Sequence, residues 1–409
     1  MLRTIIAAHF VALAAFGFSL GAQAQTIKIA ILGPMAFVQG ENHWAGAEMA
    51  RDEINKAGGI NVGGKRMRIE LVRADTNEIA SVPDATNANE RLITRDKVDF
   101  LIGGFRSEAV LAMLEVALDY KKMFLGVGAA HSKLGLNVEQ NYERYKYWFR
   151  VAPTKDVDLA RTLFAVMNSI GQQIRTELKT DSPKVAILAE KAVWTEALVA
   201  AAQKNLPAMK MEVVGTWQPS ATATDVTAEL SAIDRAGAHI VFTMLSGPVG
   251  ISVGRQMGER NMKAVAWGIN VEGQKEEFWQ AAAGKAQFVS TLDTYSEVEM
   301  TPKTIPFVRA FKERFKKSPT YTAATYDAIM LLKAVIEQEG TTNADKLVAA
   351  IEQIEHVGTG STASWDKRHD LNWAVGKTAG IAVQWQDGKK VPFWPPNVKG
   401  MQPFKMPAR

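Results

Sequence analysis

Val98-Asp99-Phe100-Leu101-Ile102-Gly103-Gly104-Phe105-Arg106-Ser107-Glu108-Ala109-Val110-Leu111 is the stretch around which the chain is organised. It reads as strand, tight turn and helix. Val98 to Ile102 is a short, mostly apolar run, as expected of a strand buried on both faces of a parallel sheet. Gly103 and Gly104 allow a sharp turn and a close approach to the backbone. Ser107 is placed as the N-cap of the apolar helix that follows. A helix start with free N–H groups at the carboxyl end of a strand favours an anion. Ligands of open α/β sheets bind at that edge.

Outward from this stretch the alternation of strand and helix continues in both directions. Thr26–Leu32 and Lys65–Ala74 read as strands before it, with helices over His43–Asn55 and Pro83–Arg95. Met123–Gly128 and Tyr147–Val151 read as strands after it, and Ala152-Pro153 as a crossover. The pattern then restarts. Strands are expected at Lys184–Leu188, Met211–Thr216, His239–Leu245 and Ala264–Gly268, separated by helices. Phe288–Asp293 reads as a strand passing back to the first half, followed by helices at 305–315, 322–338 and 344–355. Ser364-Trp365-Asp366, Gly380–Trp385 and Lys390–Phe393 read as late strands, and the Pro-rich tail from Trp394 as a surface segment. Regular β-α alternation predicts an α/β fold with parallel sheets covered on both faces.

The 409 residues suffice for two domains with their own cores. Hydrophobic content of 47% with 22% charged residues is that of an ordinary soluble globular chain. With no cysteine, disulfides, Cys-ligated metals, Cys nucleophiles and lipidation at an N-terminal cysteine are excluded. The net charge of +5 is spread along the chain, which does not make a nucleic-acid footprint. Arg3, the apolar run Ile5–Leu20 and the small-residue site Ala22-Gln23-Ala24 predict a secretory signal cleaved before Gln25. No later stretch is apolar for long enough to span a bilayer. The expectation is a soluble, exported, periplasmic protein without a lipid anchor.

Several markers in order then carry a resemblance. They are Gly33-Pro34-Met35, Gly46-Ala47 followed by Asp52-Glu53-Ile54-Asn55-Lys56-Ala57-Gly58-Gly59-Ile60, and Ile102-Gly103 with Ser107. Gly128-Ala129-Ala130, Val185-Ala186-Ile187, Thr224-Asp225-Val226-Thr227-Ala228 and Trp365-Asp366 complete the set. The chain resembles the periplasmic Leu/Ile/Val-binding proteins, the type I solute-binding proteins of ABC importers, over nearly all of its mature length. The resemblance implies two parallel-sheet lobes joined by three crossovers, with a ligand cleft between them and hinge closure over the ligand. The expected division is residues 1–24 as signal, 25–150 in the first lobe and 151–286 in the second. Residues 287–360 return to the first lobe, and 361–409 form the end of the second lobe and the tail. The crossovers are expected near Arg150–Pro153, Gln287–Leu292 and Gly358–Ser364.

The resemblance also implies ligand-binding positions. Ser107, Ala129, Ala130 and His131 match the first-lobe grip on a carboxylate, with His131 standing where the family has Thr. Trp194 matches an aromatic wall in the second lobe. Ser246 stands where the family has an aromatic. Asn270 is the gapless match to an acidic residue that holds the ligand ammonium, and Glu272 matches with a shift. The expected ligand has a carboxylate and an apolar body: a branched-chain or aromatic amino acid, or else a carboxylic acid lacking the amine, or an amide. The implied partner is a membrane permease (for some relatives a sensor kinase), with a monomer as the default and neither cofactor nor nucleic acid.

Gly250-Ile251-Ser252-Val253-Gly254 is a literal G-x-S-x-G, with Asp327 and His369 following in the order of an α/β-hydrolase triad. The elbow serine must sit on the strand-to-helix turn, which Ser246-Gly247-Pro248 already makes. Ser252 is therefore expected inside the helix, and a secreted α/β serine hydrolase is the remote alternative to a binding protein. The histidines lack metal-ligand spacing, and no complete phosphate-binding glycine motif follows a strand.

Overall fold

The computed structural model describes residues 26–408. The expected signal sequence lies outside them. The chain begins with β1 (Thr26–Gly33), α1 (Val38–Lys56), β2 (Ile60–Val62), β3 (Lys65–Asp75), α2 (Val82–Thr94), β4 (Phe100–Gly103) and α3 (Ser107–Asp119). β5 (Met123–Val127), α4 (Lys133–Gln140), α5 (Tyr142–Tyr145) and β6 (Trp148–Ala152) follow. The second half runs α6 (Asp156–Leu178), β7 (Lys184–Ala189), α7 (Val193–Ala208), β8 (Glu212–Trp217), α8 (Thr227–Arg235) and β9 (Ile240–Leu245). It continues through α9 (Val249–Glu259), β10 (Val265–Asn270), α10 (Phe278–Ala281) and β11 (Ser290–Asp293). α11 (Thr304–Phe315), α12 (Thr325–Glu339), α13 (Ala344–Gln353), the hairpin β12 (His356–Val357) and β13 (Thr362–Ala363), then β14 (Ile381–Gln386) and β15 (Lys389–Trp394) complete it.

The first sheet has the order β2-β3-β1-β4-β5-β6 and is parallel except for β2. The second has the order β10-β9-β7-β8, all parallel. Central strands such as Ile240–Leu245 are buried at every residue, because helices cover both faces. α12 packs back on α1, and α6 packs on the second sheet, where Trp267 donates to the Leu163 carbonyl at 3.0 Å.

Four local readings are corrected. α1 begins at Val38, not His43, so Gln39 and His43 are helical and buried. α3 begins at Ser107 itself. Arg106 is the N-cap, and the Ser107 side chain caps nothing. β11 lies on the second lobe, paired with β14 and bridged to β10 by Ala266–Val289, so the chain returns to the first lobe only after Asp293. Ser364-Trp365-Asp366 makes a single bridge, Trp365 to Leu371, and that segment stays on the first lobe through Trp365 Nε1 bonding the Arg150 carbonyl at 2.7 Å.

The tail from Trp394 is strapped to the second lobe. Lys405 N–H donates to Gln384 Oε1, and Gln384 Nε2 to the Lys405 carbonyl, both at 2.9 Å. Phe404 packs on Phe393 with centroids 5.1 Å apart. Among the described residues, no helix is long and apolar enough to cross a membrane.

Candidate ligand-binding site

Each sheet has one point where neighbouring strands send their connections in opposite directions, and crevices form there. In the first sheet it lies between β1 and β4, with the turn Gly103–Arg106 at its edge. In the second it lies between β7 and β9, with Glu190 and Ser246-Gly247 at its edge. These two edges face each other. A cavity with about 870 Å³ of empty space, counted to its mouth, lies between them. Leu159, Ile269, Val271 and Leu292 make apolar wall, while Arg106, Ser107, Trp194 and Ser246 gather at one pole.

The first-lobe edge depends on its glycines. Gly103 has φ +120°, and a Cβ there would stand 2.1 Å from the Leu32 carbonyl oxygen. Only glycine allows this turn without moving β1. The turn aims backbone donors outward, and the anion they attract belongs to the chain itself. The buried Glu78 carboxylate accepts from Phe105 N–H at 2.8 Å and Arg106 N–H at 2.7 Å, with Thr76 Oγ1 donating at 2.7 Å. Burial pushes the Glu78 carboxyl up, and these three bonds oppose the rise. Ser107 Oγ accepts from His131 N–H at 3.3 Å, and a hydroxyl can donate a further bond.

The second-lobe edge is built on another buried carboxylate, Glu190, which is 0% exposed. Its Oε2 accepts from Ser246 N–H at 2.8 Å and Gly247 N–H at 2.9 Å. Its Oε1 accepts from Trp194 Nε1 at 3.1 Å and from the Ser246 hydroxyl. Glu190 therefore orients both the Trp194 indole and the Ser246 loop. The lobes touch across it. Arg106, 7% exposed, bonds Glu190 through Nη1 at 3.2 Å and Glu108 through Nε at 2.9 Å. Gln39 Nε2 adds a second link, donating to the Ser246 carbonyl at 2.8 Å.

The far pole lies at the crossovers. Lys390 Nζ joins the buried Asp293 carboxylate at 2.6 Å and the Gln274 carbonyl at 2.5 Å. Burial pushes Asp293 up and Lys390 pulls it down. Gln274, 3% exposed, lines the cavity and donates from Nε2 to the Leu292 carbonyl at 2.9 Å.

Residues 26–389 match the sequence profile of the periplasmic binding proteins. The chain belongs to that family. An amino acid binding protein of Pseudomonas aeruginosa is 25% identical over 89% of this chain and 91% of its own length. The isoleucine complex of LivJ from Streptococcus pneumoniae superposes with a TM-score of 0.72 at 22% identity, covering 90% of this chain and 98% of LivJ. A benzoate complex of an R. palustris solute-binding protein superposes with a TM-score of 0.72 at 20% identity, covering 90% and 95%. The two-lobed α/β fold of this periplasmic binding protein is thus shared with structures that hold different ligands.

Of the positions expected to touch a ligand, Ser107, Ala130, Trp194 and Ser246 line the cavity. Four do not. Ala129 is buried behind the wall, its carbonyl held by the Arg150 guanidinium. His131 turns toward the next helix, with Nδ1 accepting from Lys133 N–H at 3.0 Å. Asn270 is buried as a pin between loops, donating to the Gly250 carbonyl at 3.1 Å and accepting from Gly273 N–H at 3.3 Å. Glu272 pairs with Lys275 at 2.5 Å. Arg106, Gln274 and Glu190 were not anticipated. A glutamate directly after the apolar run Lys184–Ala189 was the available signal, since the carboxyl end of a buried strand is where ligands bind.

Ser252 falls inside α9 and donates to the Ala223 carbonyl at 3.1 Å. Its sequence partners are committed elsewhere: Asp327 to Thr359 N–H at 2.8 Å, and His369 to the Trp148 carbonyl and Glu352, both at 2.8 Å. Among the described residues, Ser252 is bonded to neither Asp327 nor His369. Among the described residues no group of three or more His, Asp or Glu is placed to hold a metal ion.

Proposed function

We propose that this periplasmic binding protein is the exported, monomeric substrate-binding component of an ABC importer, and that its ligand is a small apolar amino acid. The lobes close over the ligand, and the closed form is presented to a membrane permease. The observation that carries this reading is the cavity itself. It lies between two lobes that touch across it through Arg106 and Gln39, is walled by aliphatic side chains, and ends in the Arg106–Ser107 pole. The P. aeruginosa relative and the isoleucine-bound neighbour support an amino acid.

Charge balance supports a ligand that is neutral overall. The Arg106 guanidinium at the pole is already matched by Glu108 and Glu190, and Glu78 sits behind it. A bare carboxylate brought there would add a fourth negative group. A zwitterion adds none, and its carboxylate can bond Ser107. The second reading is an aromatic acid lacking the amine. Asn270 and Glu272, the residues expected to hold an ammonium, do not line the cavity, and a neighbour holds benzoate.

Thermal melting of the mature protein against amino acids, aromatic acids, short carboxylic acids and amides separates the readings. A ligand at a hundred times its dissociation constant stabilises by about 2.7 kcal/mol. Leucine, valine or phenylalanine raising the melting temperature supports the first reading. A rise only with acids that lack the amine replaces it with the second.

A further inference from the structure

Behind the Ser107 pole a buried guanidinium holds the loop that forms the cavity wall. Arg150 is 0% exposed and lies on β6, just before the first crossover. Each of its three nitrogens has a different partner. Nε donates to Asp370 Oδ1 at 2.6 Å, Nη2 to the His131 carbonyl at 3.0 Å, and Nη1 to the Ala129 carbonyl. The carbonyl between these two, that of Ala130, accepts from Asp156 N–H at 2.8 Å. Three successive carbonyls of the loop are therefore committed to the protein. The counter-charge is built in behind them. Asp370 Oδ2 lies 3.6 Å from Lys155 Nζ, and Gly135 of α4 leaves room for that carboxylate, since a Cβ there would collide with Asp370 Oδ2.

The direction of the carbonyls fixes the direction of the donors. The Ala129–Ala130 peptide is trans, so its N–H points opposite its carbonyl. Turning the Ala129 carbonyl back to Arg150 turns the Ala130 N–H forward, and Ala130 lines the cavity beside Ser107. Among the described residues that N–H donates to no acceptor. A cation on the carbonyl polarises the peptide and makes its N–H a stronger donor. The next N–H, of His131, donates to Ser107 Oγ at 3.3 Å, which leaves the serine hydrogen free for another acceptor. We propose that Arg150 is a positioning residue for the ligand's carboxylate, presenting the Ala130 N–H and the Ser107 hydroxyl to it as a pair without touching it. This rests on the reading that the cavity holds a ligand carboxylate at the Ser107 pole. A lysine keeps the charge but has one nitrogen, and it cannot hold Asp370 and two carbonyls in the fork that Arg150 makes.

The test compares acids with their isosteric amides: leucine with leucinamide, phenylalanine with phenylalaninamide, and benzoate with benzamide. Calorimetry measures each pair on the wild type, on Arg150→Lys and on Ala130→Pro. The proline removes the N–H and leaves the ion pair in place, so the result does not depend on how Arg150→Lys folds. Hydrogen bonds to a charged acceptor are about twice as strong as neutral ones, so the wild type should hold the acid of the best-bound pair about tenfold more tightly than its amide. In both variants that ratio should fall about fivefold, through weaker binding of the acid. The bulk of the proline ring, or a general loosening of the cavity, would weaken acid and amide together. An unchanged ratio in either variant therefore overturns the proposal and leaves the reading of the cavity intact. A wild type that binds none of the acids, or binds acid and amide alike, has no carboxylate grip at this pole, and the reading and the proposal then fall together.

Discussion

Replacing Glu190 with alanine tests how the second-lobe edge is assembled. The side chain is fully buried and accepts from Ser246 N–H, Gly247 N–H, Trp194 Nε1, the Ser246 hydroxyl and the Arg106 guanidinium. Alanine leaves all five donors without their acceptor. An orphaned buried donor costs about 1–3 kcal/mol, and solvent entering the shortened site recovers part of that. Breaking a buried ion pair from one side costs about 3–5 kcal/mol by itself. Glu190→Ala should therefore destabilise by about 3–5 kcal/mol, a large fraction of the roughly 5–15 kcal/mol typical of a folded domain. Arg106→Met is the control. It breaks the same ion pair from the other side and leaves the four second-lobe bonds to Glu190 intact, so the excess cost of Glu190→Ala over Arg106→Met is the share of those four donors. Urea denaturation of both variants, compared at equal transition slopes, measures the difference. A Glu190→Ala protein within about 0.5 kcal/mol of wild type would refute the reasoning, because the five donors would then have other partners.

Ser107→Ala should weaken binding of the best ligand by about 1–3 kcal/mol, read by calorimetry, since a buried ligand oxygen loses its donor. Buried His43 bonds the Val127 carbonyl through Nε2, and burial lowers its pKa from 6.5 to about 4. The unfolded imidazole takes its proton near 6.5 and the folded one only near 4, so acidification between those values favours unfolding, by about 3 kcal/mol at most. Asp327, raised by burial to about 6, acts in the opposite direction over the same range. The stability difference between wild type and His43→Gln isolates the histidine, and should shrink as pH falls from 6.5 to 4. A difference independent of pH would show that His43 titrates normally. Removing residues 396–409 deletes the Lys405 bonds to Gln384 and the Phe404 contact with Phe393, and should lower the melting temperature by several degrees while leaving ligand affinity unchanged.

The architecture was legible because its signals are local. Apolar runs such as Lys184–Ala189 and Ile240–Leu245 carry enough buried surface to be strands, and glycines such as Gly103 mark where they turn. Ser107, Trp194 and Ser246 were reached through the family resemblance, and each stands just after a strand, where the cavity forms. Glu78 and Glu190 were not, because their partners are far away in sequence. Glu78 meets Phe105 27 residues on, and Glu190 meets Ser246 56 residues on. The helix start at Ser107 was read as an open anion site, and nothing near it in sequence shows that an internal carboxylate fills it. His131 misled for the converse reason: its ring is used two residues away, by Lys133 N–H, which a family position does not reveal. Gln39 reads as a polar residue in a loop until α1 is seen to begin at Val38.

Calorimetric titration of the mature protein with leucine, valine, isoleucine and phenylalanine, on wild type and on Trp194→Ala, tests the central claim most directly. The account predicts one-to-one binding of at least one of these amino acids, weakened in the variant because an aromatic wall of the cavity is gone. Binding of none of them, or binding that Trp194→Ala leaves untouched, would contradict it.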